Sequence, residues 1–374
     1  MCIAMCIALA SADDPESAPT FSVCPRIGER YPVSKDAFEF LTYRLGTKIR
    51  RFKNVPLAPR WVPIEYSVRL FLECVAKTTR FIPGLGCDRM PIENALVSLI
   101  GRLELDRSLA EPRHLRQRVE ALDHLDACLP YGQPIGTALR RRARAIYAEL
   151  ESVNSRLYED IRQGIQRGAG GGRLLEWMPD WNGAANPMNC GGYDYLDELI
   201  SGVLRFEEPS AELVQLESEM VSYQPTPARH IFDLIGRTAL AERDFLIDLG
   251  SGLGHVTLMA SICTTASCTG IELEQSYVDC ARKSARSLNL NNVSFVQGDA
   301  RAADLSDGTV FYLYTPFIGT ILRDVLNSLR HEAVKREIRI CTFGPCTRVV
   351  AEEQWLSVIG ALEADRIAIF RPRD

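Results

Sequence analysis

Three glycines at alternate positions, Gly250, Gly252 and Gly254, follow a short apolar run that ends in Asp248. The stretch reads Phe245-Leu-Ile-Asp-Leu-Gly-Ser-Gly-Leu-Gly-His255, and a helix-compatible apolar run over 256–262 comes next. That order predicts a buried parallel strand, a tight turn and then a helix. Glycine is needed where the backbone takes a positive φ or lies close against a ligand. The spacing also bears on which ligand. A dinucleotide loop reads G-x-G-x-x-G/A, and its third small residue packs helix on strand. Here the third glycine arrives one residue early, and His255 stands at the small position.

The next hundred residues repeat the alternation of strand and helix. Residues 268–273 read as a second strand, and Glu272 near its end lies 22 residues after Gly250. An acid about 20 residues on is where doubly wound folds meet a ribose hydroxyl. Residues 275–289 read as a helix with Tyr277, Val278, Ala281, Ala285 and Leu288 on one face. Strands follow over 293–299, 309–316 and 337–343, a helix over 318–334, and a closing hairpin from 355–360 and 366–370. The fold class is therefore α/β, a parallel sheet of about seven strands covered on both faces. Ligands of such sheets bind beyond the C-terminal strand ends, where strand order reverses. Asp248, Glu272 and Asp299 all fall on that edge.

From about residue 223 to 370 the chain resembles class I S-adenosylmethionine (SAM)-dependent methyltransferases. Leu246-Ile-Asp-Leu-Gly-Ser-Gly-Leu-Gly254 with Gly270-Ile-Glu272 is most similar to the non-SET histone lysine methyltransferases, the disruptor-of-telomeric-silencing family. The resemblance implies a Rossmann-like, seven-stranded domain with SAM as cofactor. It makes Asp248, Gly250, Ser251, Gly252 and Gly254 the methionine-side loop and Glu272 the holder of the ribose hydroxyls. Asp299, at the third strand end, joins the cofactor set. The family's Tyr-Gly-Glu-Thr cap corresponds to Tyr223-Gln-Pro-Thr226, which makes Tyr223 and Thr226 a cofactor lid. Thr226 and Pro227 also suit the N-cap and first position of a helix over 228–238. Where the family has an Asn-Asn-Phe element after strand four, this chain has Tyr314-Thr-Pro-Phe317. The Asn-Pro-Pro-Tyr tetrapeptide of amino-group methyltransferases acting on DNA bases or glutamine is absent as well.

Methyl transfer from a sulfonium needs positioning in a dry pocket more than it needs a fixed set of acids and bases. An apolar, aromatic cleft depresses an amine's pKa and so frees its lone pair. Tyr314 and Phe317 are expected to wall the acceptor channel, with the Thr315 hydroxyl orienting the acceptor. Tyr312 shares a face with Tyr314 and is as well read as sheet core. His230 and His255 are more readily structural than basic.

Composition sets the remaining bounds. A net charge of -5 argues against broad nucleic-acid binding, and residues 1–180 carry 26 basic against 22 acidic side chains while the rest carry 17 against 26. The acidic C-terminal part suits a cationic cofactor. The 12 cysteines include no C-x-x-C and no clustered histidine, so no metal site is expected and the thiols read as reduced, in a cytoplasmic protein. Residues 1–10 are apolar but lack a preceding basic residue, which argues against a secretory signal, and there is no run of eighteen apolar residues to span a membrane.

The expected organisation is a loose segment over 1–33, a mainly α-helical N-terminal domain over 34–167, a glycine-rich linker with connecting helices over 168–222, and the SAM-binding domain over 223–374. Helices are expected at 65–78, 91–105, 111–128, 135–163, 194–203 and 211–220. The basic cluster at 140–144 reads as a solvated helix face. The leading function is methyl transfer from SAM to a protein lysine or a small-molecule acceptor. The alternatives are a non-catalytic SAM-binding scaffold acting through its helical half, and a dinucleotide oxidoreductase, which His255 disfavours.

Overall fold

The structure is a computed structural model that describes residues 92–129, 135–178, 192–207, 217–363 and 365–373. The expected segment over 1–33 and the helix over 65–78 lie outside those residues. The described part contains α1 (Ile92–Leu105), α2 (Leu115–Cys128), α3 (Thr137–Gln166), α4 (Gly170–Leu175), α5 (Tyr195–Leu204) and α6 (Ala228–Thr238). The alternating region follows: β1 (Phe245–Leu249), α7 (His255–Cys263), β2 (Ser267–Glu272), α8 (Gln275–Ser287), β3 (Val293–Gln297) and β4 (Val310–Leu313). It ends with α9 (Gly319–Lys335), β5 (Arg339–Thr342), α10 (Cys346–Ala351), β6 (Leu356–Val358) and β7 (Ala368–Pro372).

The strands form one seven-stranded sheet in the order β3-β2-β1-β4-β5-β7-β6. The first five are parallel, while β7 runs antiparallel to β5 and β6 antiparallel to β7. This is the expected α/β, Rossmann-like fold with its closing hairpin. Strand order reverses between β1 and β4, so the crevice falls at their C-terminal ends. Alternation along the strands builds two apolar layers. Leu246, Val310, Tyr312 and Cys341 face one cluster with helix residues Phe232, Leu258 and Val278, while Ile247, Phe311, Leu313 and Ile340 face the other with Leu322, Val325 and Leu326 of α9.

The helical region is packed on this sheet. Leu115, Ile161, Ile165 and Leu174 belong to the same apolar cluster as Leu258 and Met259 of α7. Arg162 donates to the Val203 carbonyl and to Ser287 Oγ, and Gln166 donates to the Ser287 carbonyl at 2.8 Å. A third apolar cluster, with Leu96, Ile100, Leu122, Leu125 and Ile146, ties α1 to α2 and α3.

Three expectations change. The glycine run expected as a linker forms α4. An added Cβ on Gly170 would stand 2.1 Å from Ile165 Cγ1, and one on Gly171 2.4 Å from the Ile262 carbonyl. The glycines serve close helix packing there, not flexibility. The helix expected over 111–128 begins only at Leu115, because Pro112 opens a short 3-10 turn at Pro112–His114. Of the helix expected over 211–220, the described residues 217–220 form a turn ending in a β-bridge from Met220 to Phe317. Cys268, Cys341 and Cys346 are buried free thiols that pack as small apolar groups.

Candidate active site

The pocket at the β1 and β4 ends is lined by Tyr223, Gln224, Pro225, Thr226, Asp248, Gly250, Ser251, His255, Val256, Tyr312 and Tyr314. Its floor is the loop after β1. Gly250, Gly252 and Gly254 have φ of 81°, 54° and 83°, the left-handed region that a side chain rarely occupies. Gly250 and Ser251 donate their amides to the Ile271 carbonyl at 2.9 and 3.0 Å, which ties the loop to β2.

Each glycine also lies beneath a protein side chain. An added Cβ would stand 2.3 Å from Pro316 Cβ at Gly250, 1.9 Å from Tyr223 Cε2 at Gly252 and 2.5 Å from Phe295 Cε1 at Gly254. The close approach expected of a ligand at Gly252 is thus made by Tyr223.

Two carboxyls sit at the strand ends. Asp248 is 3 % exposed and accepts from the Thr257 hydroxyl at 3.2 Å. Burial pushes it up to about 7, against the pull of that hydrogen bond. Glu272 accepts from the Gly252 amide at 2.7 Å and the Glu274 amide at 2.9 Å, and burial raises its pKa above the ordinary carboxylate value. A positive charge brought into the pocket would favour both ionised forms.

The wall opposite the loop is the segment over 223–228. Tyr223 packs between Gly252 and Tyr277, whose ring centroid is 5.1 Å away, and its hydroxyl lies 3.0 Å from His255 Nδ1. Thr226 Oγ1 and the Tyr312 hydroxyl are 3.1 Å apart. Thr226 is therefore not the helix N-cap expected of it. Pro227 holds that position without a side-chain cap, and the Ala228 amide is taken by Asp197 Oδ1 at 2.8 Å. Tyr193 donates to the Pro225 carbonyl at 2.8 Å, and Asp194 pairs with Arg229. The start of α5 thus anchors the segment. Asp197 is pushed up to about 7 by burial.

The loop after β4 is strained. Thr315 is a non-glycine residue with φ of 42°. Its hydroxyl accepts from the Cys346 amide at 3.1 Å and donates to the Phe343 carbonyl at 3.4 Å. It is spent on holding the loop and stands outside the pocket lining. Phe317 is 5 % exposed and packs in the core with Ile321 and Leu322. These two positions correct the acceptor channel expected from sequence, because the left-handed turn at Thr315 directs Phe317 into the α9 layer. Tyr314 alone of the three lines the pocket, its ring 5.3 Å from Phe343. Tyr312 also lines it, although it is fully buried.

Asp299 stands outside the pocket lining too. It caps a short turn and is held below the ordinary carboxylate value by hydrogen bonds from Arg301, which also bridges to Glu217. His255 and His230 are both pushed down to about 4 by burial, so each imidazole is neutral at physiological pH and a poor base. Among the described residues no group of three or more His, Cys, Asp or Glu is placed to hold a metal ion, and no helix is long and apolar enough to cross a membrane.

The pocket suits a cofactor of the expected kind. Ser251 Oγ is buried without a hydrogen-bond partner, and it lines the cavity. Glu272 stands outside the pocket lining, with each carboxylate oxygen taken by one backbone amide, Gly252 on one and Glu274 on the other.

Residues 246–332 match the family model of a methyltransferase domain. The match covers β1 through most of α9, including the glycine loop, so this region is similar to a methyltransferase domain. Release factor glutamine methyltransferase from Vibrio cholerae is 35 % identical over 91 residues, 24 % of this chain and 31 % of that protein. The matched stretch thus spans under a third of the length of that curated relative. Among solved structures, an RNA methyltransferase from Salinibacter ruber in complex with S-adenosyl-L-homocysteine is 25 % identical, with a TM-score of 0.32, over 40 % of this chain and 92 % of that one. A precorrin-6y C5,15-methyltransferase from Geobacter metallireducens is 16 % identical, with a TM-score of 0.32, over 41 % and 92 % of the two chains.

Proposed function

We propose that this chain transfers a methyl group from SAM to an amine, on a protein lysine or a small-molecule acceptor. The observation that carries the reading is the neutral aromatic end of the pocket. Tyr312 and Tyr314 line it beside the Asp248–Ser251 loop, with no cationic side chain among the lining residues. Ser251 and the loop backbone would hold the methionine part of the cofactor, and Glu272 its ribose hydroxyls. Asp299, at the third strand end, completes the proposed cofactor set, although its carboxyl is held by Arg301. The cofactor supplies an electrophilic methyl on a positively charged sulfur. The protein's share is to hold the acceptor in line, exclude water and keep the amine unprotonated.

Tyr314 occupies the place of the first Asn in the Asn-Pro-Pro-Tyr element of amino-group methyltransferases. A phenol offers no amide carbonyl to an amide N–H, which disfavours a glutamine acceptor despite the name of the Vibrio cholerae relative. Membership of the non-SET histone lysine methyltransferases rests on the loop residues 246–254 and 270–272 and on the Tyr223–Thr226 segment. The test is transfer of tritiated methyl from SAM to a cell extract split into protein, nucleic-acid and small-molecule fractions. Label on lysine side chains or on a small amine supports the reading. Label confined to nucleic acid, or to glutamine amides, contradicts it.

A further inference from the structure

Resting on the SAM-binding reading above, we propose that His255 is a positioning residue: its neutral imidazole holds the Tyr223 hydroxyl, and so fixes Tyr223 as the wall that controls cofactor exchange. The residue stands at the position that the glycine spacing left open, one place after Gly254. Its ring packs on Phe206 with centroids 4.5 Å apart, which sets its orientation independently of Tyr223. Nδ1 then points at the Tyr223 oxygen, 3.0 Å away. Among the described residues the Tyr223 hydroxyl makes no other hydrogen bond. Its proton therefore goes to Nδ1, which places the imidazole proton on Nε2.

The consequence for the pocket is geometric. Tyr223 is in van der Waals contact with the Gly252 backbone and stacks at a tilt on Tyr277. No space is left between ring and loop. A ligand reaching from the Gly250–Ser251 side of the loop toward Glu272 passes Tyr223, so the ring must give way for it to enter or leave. The hydrogen bond to His255 is the polar restraint on that movement, and the Gly252 and Tyr277 contacts are the apolar ones.

The test combines kinetics with nuclear magnetic resonance. S-adenosylhomocysteine is the probe, and its association and dissociation are followed by stopped flow. His255→Leu keeps the contact with Phe206 and removes the acceptor, while Tyr223→Phe removes the donor. Each is expected to speed dissociation about tenfold, the equivalent of one neutral hydrogen bond, and the double variant no further. His255→Asn, which restores an acceptor near Nδ1, should recover most of the wild-type rate. In long-range 1H–15N spectra His255 should show an unprotonated Nδ1 whose resonance moves in Tyr223→Phe. Additive rate effects, unchanged rates, or a protonated Nδ1 would overturn the assignment while leaving cofactor binding intact. A wild-type chain that binds neither SAM nor S-adenosylhomocysteine would overturn the methyl-transfer proposal and this one with it.

Discussion

Gly252→Ala is the most exacting single substitution for this site. Gly252 has φ of 54°, and its missing Cβ would lie 1.9 Å from Tyr223 Cε2. Two costs follow. A left-handed non-glycine residue loses about 1–2 kcal/mol. Forcing a packed ring aside loses about 1–3 kcal/mol more. The variant should therefore be about 2–5 kcal/mol less stable than wild type in urea unfolding. The second cost belongs to Tyr223 and vanishes with it. In a Tyr223→Ala background the same glycine substitution should lose only the backbone part, a coupling of about 1–3 kcal/mol between the two sites. Gly250→Ala is the control, because its Cβ would meet Pro316 at 2.3 Å and gain no relief from Tyr223→Ala. Full additivity of Gly252→Ala with Tyr223→Ala would refute the contact. A native-like Gly252→Ala would refute both terms.

Three further outcomes are expected. Glu272→Ala should weaken SAM binding tenfold or more in calorimetry, since losing a hydrogen bond to a charged group costs about 1.5–3 kcal/mol; a loss no greater with 2′-deoxyribose cofactor as reference would remove Glu272 from the ribose. Asp248 keeps its proton up to about 7 in the folded chain and loses it near 4 when unfolded, so its contribution to stability is full below about 4 and falls as pH rises to about 7. Asp248→Asn should abolish that fall, worth at most about 4 kcal/mol, and melting temperatures of cofactor-free protein at pH 5 and pH 8 would show identical pH slopes for the two proteins if Asp248 were ionised throughout. Phe317→Ala should cost about 3–5 kcal/mol of stability as a core truncation, whereas Tyr314→Ala should lower methyl transfer up to about 100-fold at near-native melting temperature; equal destabilisation by both would return Tyr314 to the core.

Much of the fold is written in local pattern. The run Phe245–Leu249, the alternate glycines and the acid at Glu272 define β1, the loop and β2, because strand period and left-handed glycine are properties of a few neighbouring residues. The lid segment was legible only through its likeness to a known cap. What it touches was not. The partnership of Tyr223 with His255, of Thr226 with Tyr312 and of Ala228 with Asp197 joins residues 32, 86 and 31 positions apart. Thr315 and Phe317 were misplaced for a similar reason. An alternating pattern assigns faces correctly within β4, but the left-handed turn at Thr315 breaks the alternation just beyond it. The glycines of α4 gave the opposite error. Composition reads Gly-Ala-Gly-Gly-Gly as a linker, and only the neighbouring Ile165 and Ile262 show that close packing demands Gly170 and Gly171.

Direct titration of the wild-type chain with SAM, S-adenosylhomocysteine and NAD in a calorimeter tests the central claim most directly. The account predicts one site for SAM and its demethylated product and none for NAD, with SAM affinity lost in Glu272→Ala. Binding of NAD in place of SAM, or SAM binding indifferent to Glu272, would contradict it.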